Sequence, residues 1–117
     1  MSDRELLELA AKAAGVDVDY LDNERGCELL NSDEDTVYAT GVLWNPLADD
    51  GDALRLAVKL NLQPRQGVNL VSVLRPDKGG NDENYRDHGG DPYAATRRAI
   101  VRAAAEIGRT MKGAGDE

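Results

Sequence analysis

The chain has 117 residues, of which 41% are apolar, 31% are charged and 4% are aromatic. This length and balance predict one globular domain at 1–112 with a frayed tail at 113–117, and they exclude an intrinsically disordered chain. The net charge of −8 argues against general nucleic-acid binding and against attachment to anionic membranes, because the field of the protein repels both.

The first predicted element is an amphipathic helix over residues 3–14. Ser2 and Glu5 have the spacing of a capping box, in which the two side chains accept each other's backbone N–H groups. Leucine and alanine then recur at helical spacing on one side, while charged residues fill the other. Gly15 is the expected end of the helix, because glycine is strongly favoured just after a helix C-terminus.

Three strands are predicted next, at about 16–22, 27–31 and 36–44. The first alternates between apolar and acidic residues, which is typical of a strand with one wet face near a sheet edge. The third is apolar on both sides, and so is a fourth predicted strand at 68–75. Strands of that kind are usually covered on both faces, so we predict that helices pack on both sides of these two strands.

The segment WNPLADDGDALRLAVKL, residues 44–60, predicts a helix that begins after a proline break. Pro46 cannot continue a β-ladder, and either Asp49 or Asp50 is suited to cap the helix that follows. The remaining acids fall in the first turn, where the helix dipole favours negative charge. A calcium loop needs ligands at alternate positions, which these acids do not provide. We therefore interpret Asp49, Asp50 and Asp52 as a helix start and predict no metal site.

Residues 76–91 are polar and rich in glycine, and they predict a long loop with a short edge strand near 83–87. Such a loop is longer than most connections in compact domains, so it is either functional or disordered. A helix follows at 92–111, because Asp91 is a suitable cap and Pro92 suits the first helical position.

The faces of this last helix are predicted from its periodicity. Its many alanines would allow close approach to the sheet or to a second copy of the helix. On the outward face we expect Arg102 and Glu106 to pair at i,i+4. The predicted core stripe consists of Tyr93, Ile100, Ala104, Ile107 and Met111.

The predicted element order is α-β-β-β-α-β-(β)-α. Runs of neighbouring strands separated by helices indicate an α+β fold with three helices and a mostly antiparallel sheet of four to five strands. Because two strands are apolar on both faces, we predict that the helices cover this sheet on either side as an α/β/α layered sandwich.

Few side chains have the chemistry of an active site. Cys27 is the single cysteine, which excludes an intrachain disulfide, and we interpret it as a small buried apolar residue in a reducing compartment. His88 is the single histidine, so neither a nucleophilic triad nor a typical zinc site has enough partners. We predict no catalytic residue, no metal and no cofactor. An enzyme that uses His88 with Asp87 or Asp91 is a minority alternative.

The strongest candidate is an anion site around the glycine-rich stretch and the start of the last helix. Residues 54–117 hold 11 basic and 8 acidic side chains, a net +3, whereas residues 1–53 hold 3 and 14, a net −11. Arginine binds phosphate through paired hydrogen bonds and aromatic rings stack on bases, although Asp91 as a cap would itself occupy the helix start. The predicted residues for a small anionic, nucleotide-like ligand are Trp44, Tyr85, Arg86, His88, Tyr93, Arg97 and Arg98.

Two segments carry a family resemblance, WNPLADDGDALRLAVKL at 44–60 and GGDPYAATRRAIVRAAAEIGR at 89–109, together with the N-terminal MSDRELLELAAKAAG. They resemble the small proteins of bacteriophages and prophages that form the phage ABA sandwich domain family. The resemblance covers nearly the whole chain except residues 76–88. It implies an alpha-beta-alpha layered sandwich, a phage origin and a location in the bacterial host cytoplasm, and it supplies no catalytic residues.

The leading hypothesis is a non-enzymatic phage accessory protein that binds and titrates a host component, such as a small nucleotide-type defence signal. One alternative is a protein–protein interaction module, which predicts an alanine-rich or Trp44-centred apolar surface for a host protein or for a homo-oligomer. A small enzyme acting on a nucleotide is the other alternative.

Overall fold

The computed structural model describes residues 2–21, 26–32 and 37–111, and the tail predicted at 113–117 lies outside them. Within these residues the chain forms three α-helices, six β-strands and one short 3-10 helix. The helices are α1 (Asp3–Ala14), α2 (Asp50–Leu60) and α3 (Pro92–Thr110), and the 3-10 helix is Tyr85–His88. The strands are β1 (Val18–Leu21), β2 (Gly26–Ser32), β3 (Val37–Trp44), β4 (Gln63–Gln66), β5 (Leu70–Leu74) and β6 (Gly80–Asn84).

The strands form two separate three-stranded antiparallel sheets, in the orders β1-β2-β3 and β4-β5-β6. The α+β class with antiparallel pairing is therefore confirmed, whereas the prediction of one sheet with four to five strands is wrong. Each sheet consists of sequence neighbours because consecutive strands with short connections tend to pair, and α2 separates the two runs.

The second sheet differs most from the predicted elements. The sequence predicts no strand at Gln63–Gln66, because Gln-Pro-Arg-Gln contains no residue with a high strand propensity. Its backbone nevertheless pairs with β5 along its whole length. β6 lies at Gly80–Asn84 rather than near 83–87, so the predicted long loop is a strand followed by the 3-10 helix.

Local capping signals predict the starts of all three helices correctly. The amide of Glu5 donates to Ser2 Oγ at 3.1 Å, and the amide of Ser2 donates to Glu5 Oε1 at 2.9 Å, which is the predicted capping box. Asp49 accepts the amide of Asp52 at 2.8 Å at the start of α2. Asp91 accepts the amide two residues later at 2.9 Å at the start of α3. No helix in the described part of the chain is long and apolar enough to cross a bilayer.

Helix α3 lies at the centre of the core. It makes its most extensive contacts with α1 and also packs against α2, β5 and β6. Most of its alanines are buried, and Gly108 lies so close to α1 that a Cβ there would overlap the backbone carbonyl of Leu9. The close approach was predicted for the sheet or a second copy of the helix, but it occurs chiefly with α1, and most of the alanines are buried rather than forming an exposed surface.

Two residues of the predicted core stripe in α3 are exposed. Ile100 and Ala104 are buried and Ile107 is half-buried, as predicted, but Tyr93 is 68% exposed and Met111 is also exposed. Tyr93 and Met111 lie at opposite ends of α3, which has 19 residues, whereas α1 has only 12. At about 1.5 Å per residue, α1 is too short to cover both ends of α3.

Strand β3 is not covered on either face. Trp44 at its end is buried, and the other residues of the strand are exposed. The prediction that helices pack on both sides of 37–44 is wrong, and β3 does not form the middle layer of a sandwich. β5 differs, because Val71 and Val73 on one of its faces are fully buried and the residues of the other face are half-buried. Among the described residues, α3 is the only helix in extensive contact with β5, so the prediction of helices on both sides is wrong for this strand as well.

Candidate ligand-binding site

A cleft of about 550 Å³ lies between α2, α3 and β4, and we call it the α2–α3 cleft. Its wall is mostly apolar, and two of its apolar side chains, Leu54 and Tyr93, are largely exposed. Concave, mostly apolar cavities of this size with a few polar groups are the usual form of small-molecule sites. The lining residues are Asp50, Ala53, Leu54, Pro64, Gln66, Pro92, Tyr93, Thr96, Arg97 and Ile100.

Arg97 is the cationic group of the cleft, and it is held in place by two hydrogen bonds. Its Nε donates to the carbonyl oxygen of Leu47 at 2.9 Å, and its Nη1 donates to Asp50 Oδ1 at 2.7 Å. These bonds use Nε and Nη1, and among the described residues no hydrogen bond involves Nη2. The Arg97 side chain is mostly buried, whereas the Asp50 side chain is exposed.

A chain of hydrogen bonds fixes the wall of the cleft where β4 meets α3. Tyr85 donates its hydroxyl to Gln66 Oε1 at 2.5 Å, and Gln66 Nε2 donates to Thr96 Oγ1 at 2.8 Å. Thr96 in turn donates to the carbonyl of Pro92 at 2.7 Å. These bonds place the first turn of α3, which carries Tyr93, against the second sheet. The aromatic ring therefore projects from a well-supported turn.

The structure distributes the seven predicted ligand residues over several places. Tyr93 and Arg97 lie in the α2–α3 cleft, whereas Arg98 lies in a second cleft. Trp44 is only 9% exposed and belongs to the core, so it forms no apolar surface patch. Of the remaining three, Tyr85 and His88 are half-buried and bonded within the protein, and Arg86 is exposed.

The second cleft, of about 590 Å³, is polar and contains three arginines, Arg75, Arg98 and Arg102; we call it the arginine cleft. Each guanidinium already faces a carboxylate. Arg75 pairs with Asp77 at 3.1 Å, Arg98 pairs with Asp3 at 3.0 Å, and Arg102 pairs with a glutamate of β6. Arg97 is likewise paired with Asp50, so the two clefts differ in their walls rather than in this pairing: the arginine cleft is polar, contains the buried carboxylate of Glu83 and is lined by no aromatic residue on which a ring could stack.

Glu83 is the buried carboxylate at the centre of the arginine cleft. It accepts hydrogen bonds from Arg102 Nη1 and from His88 Nε2, the latter at 2.8 Å. Burial alone would raise the pKa of Glu83, but the hydrogen bonds from His88 and Arg102 outweigh it and hold this pKa below its ordinary value. The predicted pairing of Arg102 with Glu106 is therefore wrong, and Glu106 pairs with Arg109 instead.

The contacts of His88 also differ from those predicted for an enzyme that uses this histidine. His88 pairs with Glu83 rather than with Asp87 or Asp91, because the 3-10 helix turns the imidazole back over the end of β6. Glu83 is five residues before His88 in the sequence, a spacing with no meaning in a helix or a strand. Sequence reasoning missed Glu83 for that reason, and it missed Leu54 because an exposed leucine gives no signal.

The three aspartates at the start of α2 accept hydrogen bonds from other groups of the protein. Asp49 caps α2, Asp50 holds Arg97, and Asp52 accepts from the amide of Asn45 at 2.9 Å and from Arg55 at 2.7 Å. This arrangement confirms their interpretation as a helix start. Within the described residues, no group of three or more histidine, cysteine or acidic side chains has an arrangement that could hold a metal ion.

Cys27 is fully buried between its neighbours in the first sheet, which confirms its interpretation as a small buried residue. Burial, with smaller contributions from the charges of Glu8 and Asp19, raises the pKa of its thiol to about 11. A thiol with so high a pKa is a poor nucleophile at neutral pH, because the thiolate is the reactive form.

Comparison with known proteins identifies no relative of this chain. No protein-family model matches the chain, no curated protein is significantly similar to it, and no solved structure matches it significantly. The resemblance to the phage ABA sandwich domain family therefore stays a prediction from the two sequence segments.

Proposed function

We propose that this protein is a non-enzymatic binding protein whose small ligand occupies the α2–α3 cleft. The observation that carries the proposal is the pairing of an exposed aromatic ring, Tyr93, with an anchored guanidinium, Arg97, at a mostly apolar cleft. The two residues are four positions apart in α3, so they lie on one face of the helix. The ligand is a molecule with a planar ring and an anionic group.

The two sides of the cleft have different roles. The ring of the ligand stacks on Tyr93 and contacts Leu54, where it buries apolar surface that is otherwise exposed to water. The anionic group accepts from Arg97 Nη2, whose guanidinium is already oriented by Leu47 and Asp50. Because that orientation exists before binding, the ligand loses less affinity to ordering of the site.

The charges around the cleft limit the ligand further. Asp50 lies 2.7 Å from Arg97 and balances much of its charge, and the whole chain carries a net −8. These negative charges repel a strongly charged polyanion such as a nucleoside triphosphate. A nucleotide-type ligand with one or two negative charges, such as a monophosphate or a cyclic nucleotide, fits the cleft better.

In this proposal the protein binds and titrates its ligand rather than converting it. The phage resemblance of segments 44–60 and 89–109 supports an accessory role in the bacterial host cytoplasm, where removal of a nucleotide-type defence signal would be useful to a phage. Sequestration requires only a binding cleft and enough protein to lower the free concentration of the ligand.

The experiment is isothermal titration calorimetry of the full chain against nucleobases, nucleosides, monophosphates, cyclic nucleotides and triphosphates. We expect a monophosphate or cyclic nucleotide to bind. Tyr93→Ala should weaken that binding roughly 5- to 150-fold, because stacking on an aromatic side chain contributes about 1–3 kcal/mol per base. Tyr93 is 68% exposed, so its replacement should leave the fold intact.

Arg98→Ala is the matched control, because Arg98 follows Arg97 in α3 but lines the arginine cleft. It should leave binding unchanged. If no member of the panel gives heat or a thermal shift at protein concentrations well above micromolar, the ligand proposal fails. If Arg98→Ala abolishes binding while Tyr93→Ala does not, the α2–α3 cleft is the wrong site.

A further inference from the structure

Gln66, at the end of β4, is the one amide side chain among the described residues that line the α2–α3 cleft. It is exposed, and hydrogen bonds to Thr96 and Tyr85 hold the two ends of its amide. An exposed glutamine normally has several rotamers and loses them when it binds a ligand. Because this side chain is already held in one orientation, less affinity is lost to ordering when a ligand bonds to it.

The partners of Gln66 also fix which end of its amide carries the nitrogen. Thr96 has one hydroxyl proton, which it donates to the carbonyl oxygen of Pro92 at 2.7 Å, so its oxygen accepts from Gln66. The amide nitrogen therefore faces Thr96, and the amide oxygen faces the hydroxyl of Tyr85 at 2.5 Å. An amide group has two N–H donors and an oxygen with two lone pairs. Among the described residues, one donor and one acceptor position of Gln66 remain without a partner.

Gln66 lies on the β4 side of the cleft, next to the turn of α3 that carries Tyr93. Its Nε2 is 2.8 Å from Thr96 Oγ1, and Thr96 follows Tyr93 by three residues on the same face of α3. Side chains with that spacing have their Cβ atoms about 5–6 Å apart. A ring that stacks on Tyr93 therefore has the Gln66 amide near its edge.

Arg97 lies on the other side of the same cleft. Its guanidinium is bonded to Leu47 and Asp50 around the start of α2, whereas Gln66 belongs to β4. The wall of the cleft between the two polar groups is mostly apolar. The cleft has a cationic end at α2 and an uncharged hydrogen-bonding end at β4. A nucleotide has the matching polarity, with its phosphate at one end and its base at the other.

We propose that Gln66 determines the specificity of the α2–α3 cleft by bonding to the edge of a nucleobase. This inference rests on the proposed function, and it narrows the ligand from any planar ring with an anionic group to a nucleotide whose base has a donor beside an acceptor. Glutamine binds adenine through two such neighbouring groups in protein–DNA complexes. Adenine presents its amino group beside a ring nitrogen, whereas unsubstituted purine has ring nitrogens that only accept.

Isothermal titration calorimetry of the full chain with two matched ligands tests the proposal. Adenosine monophosphate and purine riboside monophosphate share the ring system and the phosphate, and they differ only in the amino group. One neutral hydrogen bond changes affinity roughly 2- to 13-fold, so we expect the wild type to prefer adenosine monophosphate by such a factor. Gln66→Leu should bind the two ligands equally. The ratio of the two affinities isolates this contact, because a general change in the cleft weakens both ligands alike.

Gln63→Leu is the matched control, since Gln63 is an exposed glutamine of the same strand that does not line the cleft. The two glutamines are three residues apart, so their side chains point to opposite faces of the sheet. Gln63→Leu should keep the preference of the wild type. Both glutamines are exposed, so both variants should fold, and circular dichroism checks that they do.

Three results would overturn the proposal while adenosine monophosphate still binds the wild type. These are equal affinity of the wild type for the two ligands, a preference that survives Gln66→Leu, and a folded Gln66→Leu that binds neither ligand. In the last case the side chain would hold the cleft together rather than select the base. The ligand proposal stands in all three cases if Tyr93→Ala weakens binding. If neither ligand binds the wild type, the specificity proposal fails, and the rest of the nucleotide panel decides whether the ligand proposal fails with it.

Discussion

Replacement of Gly108 by alanine tests the close contact between α1 and α3. A Cβ at Gly108 would overlap the backbone carbonyl of Leu9, so the two helices must move apart to admit it. Backbone atoms cannot rotate away as a side chain can, and overpacking of this kind costs about 3 kcal/mol at the upper end of its usual range. Alanine recovers about 1 kcal/mol of helix propensity over glycine. We therefore expect a net loss of about 2 kcal/mol in the free energy of unfolding.

Urea denaturation followed by circular dichroism at 222 nm measures this loss, and thermal melting should show a decrease of roughly 8 °C for a domain of this size. Gly51→Ala is the matched control, because a Cβ there would meet side-chain atoms rather than backbone: the capping carboxylate of Asp49 at 3.2 Å and the guanidinium of Arg55 at 3.3 Å, both of which can shift by a few tenths of an ångström. It should be neutral or stabilise the protein by about 0.4–1 kcal/mol. Equal stability of Gly108→Ala and the wild type would refute the packing of α1 against α3.

Three further predictions concern local interactions. Ser2→Ala should lower the free energy of unfolding by about 1 kcal/mol, measured in urea, because it removes the side-chain cap of α1; no change would refute the capping box. The pKa of Glu83 is lower in the folded than in the unfolded state, so its stabilisation is present above the ordinary carboxyl pKa and is lost as pH falls through the folded value. The stability difference between wild type and Glu83→Gln should therefore shrink from pH 7 to pH 3, and a constant difference would count against the ion-pair network. With its pKa raised to about 11, the buried thiol of Cys27 should react with a disulfide reagent at pH 8 only in denaturant, and fast reaction of the folded protein would contradict its burial.

The helices were predictable because their signals are local. Ser2, Asp49 and Asp91 each bond to an amide within three residues, and such bonds form wherever the rest of the chain lies. The division into two sheets was not predictable in this way. Which strands pair depends on contacts between distant segments, and β4 pairs through its backbone although Pro64 and its neighbours have no strand preference.

The difference between local contacts and contacts of distant segments also explains which parts of the candidate site were predictable. Tyr93 and Arg97 come together because their separation of four residues is a property of the helix itself. Arg98 is instead turned to Asp3, which is 95 residues away, and Tyr85 bonds to Gln66, which is 19 residues away. No spacing rule relates such pairs. The sequence could therefore suggest these side chains as ligand residues, but it could not show that they are bonded to other residues of the protein.

Apolar residues on both faces of a strand have two physical explanations, and β5 and β3 illustrate one each. β5 is the central strand of its sheet, and α3 packs on the face that carries its two buried valines, while the residues of its other face are half-buried. β3 contains a glycine in its middle, and a glycine inside a strand often marks a bulge, which belongs near an edge rather than in a sheet centre. Gly41 was therefore the one local sign that β3 is an edge strand. Once β3 is an edge, its apolar side chains are left exposed to solvent, and the apolar pattern alone does not distinguish this case from the buried valines of β5.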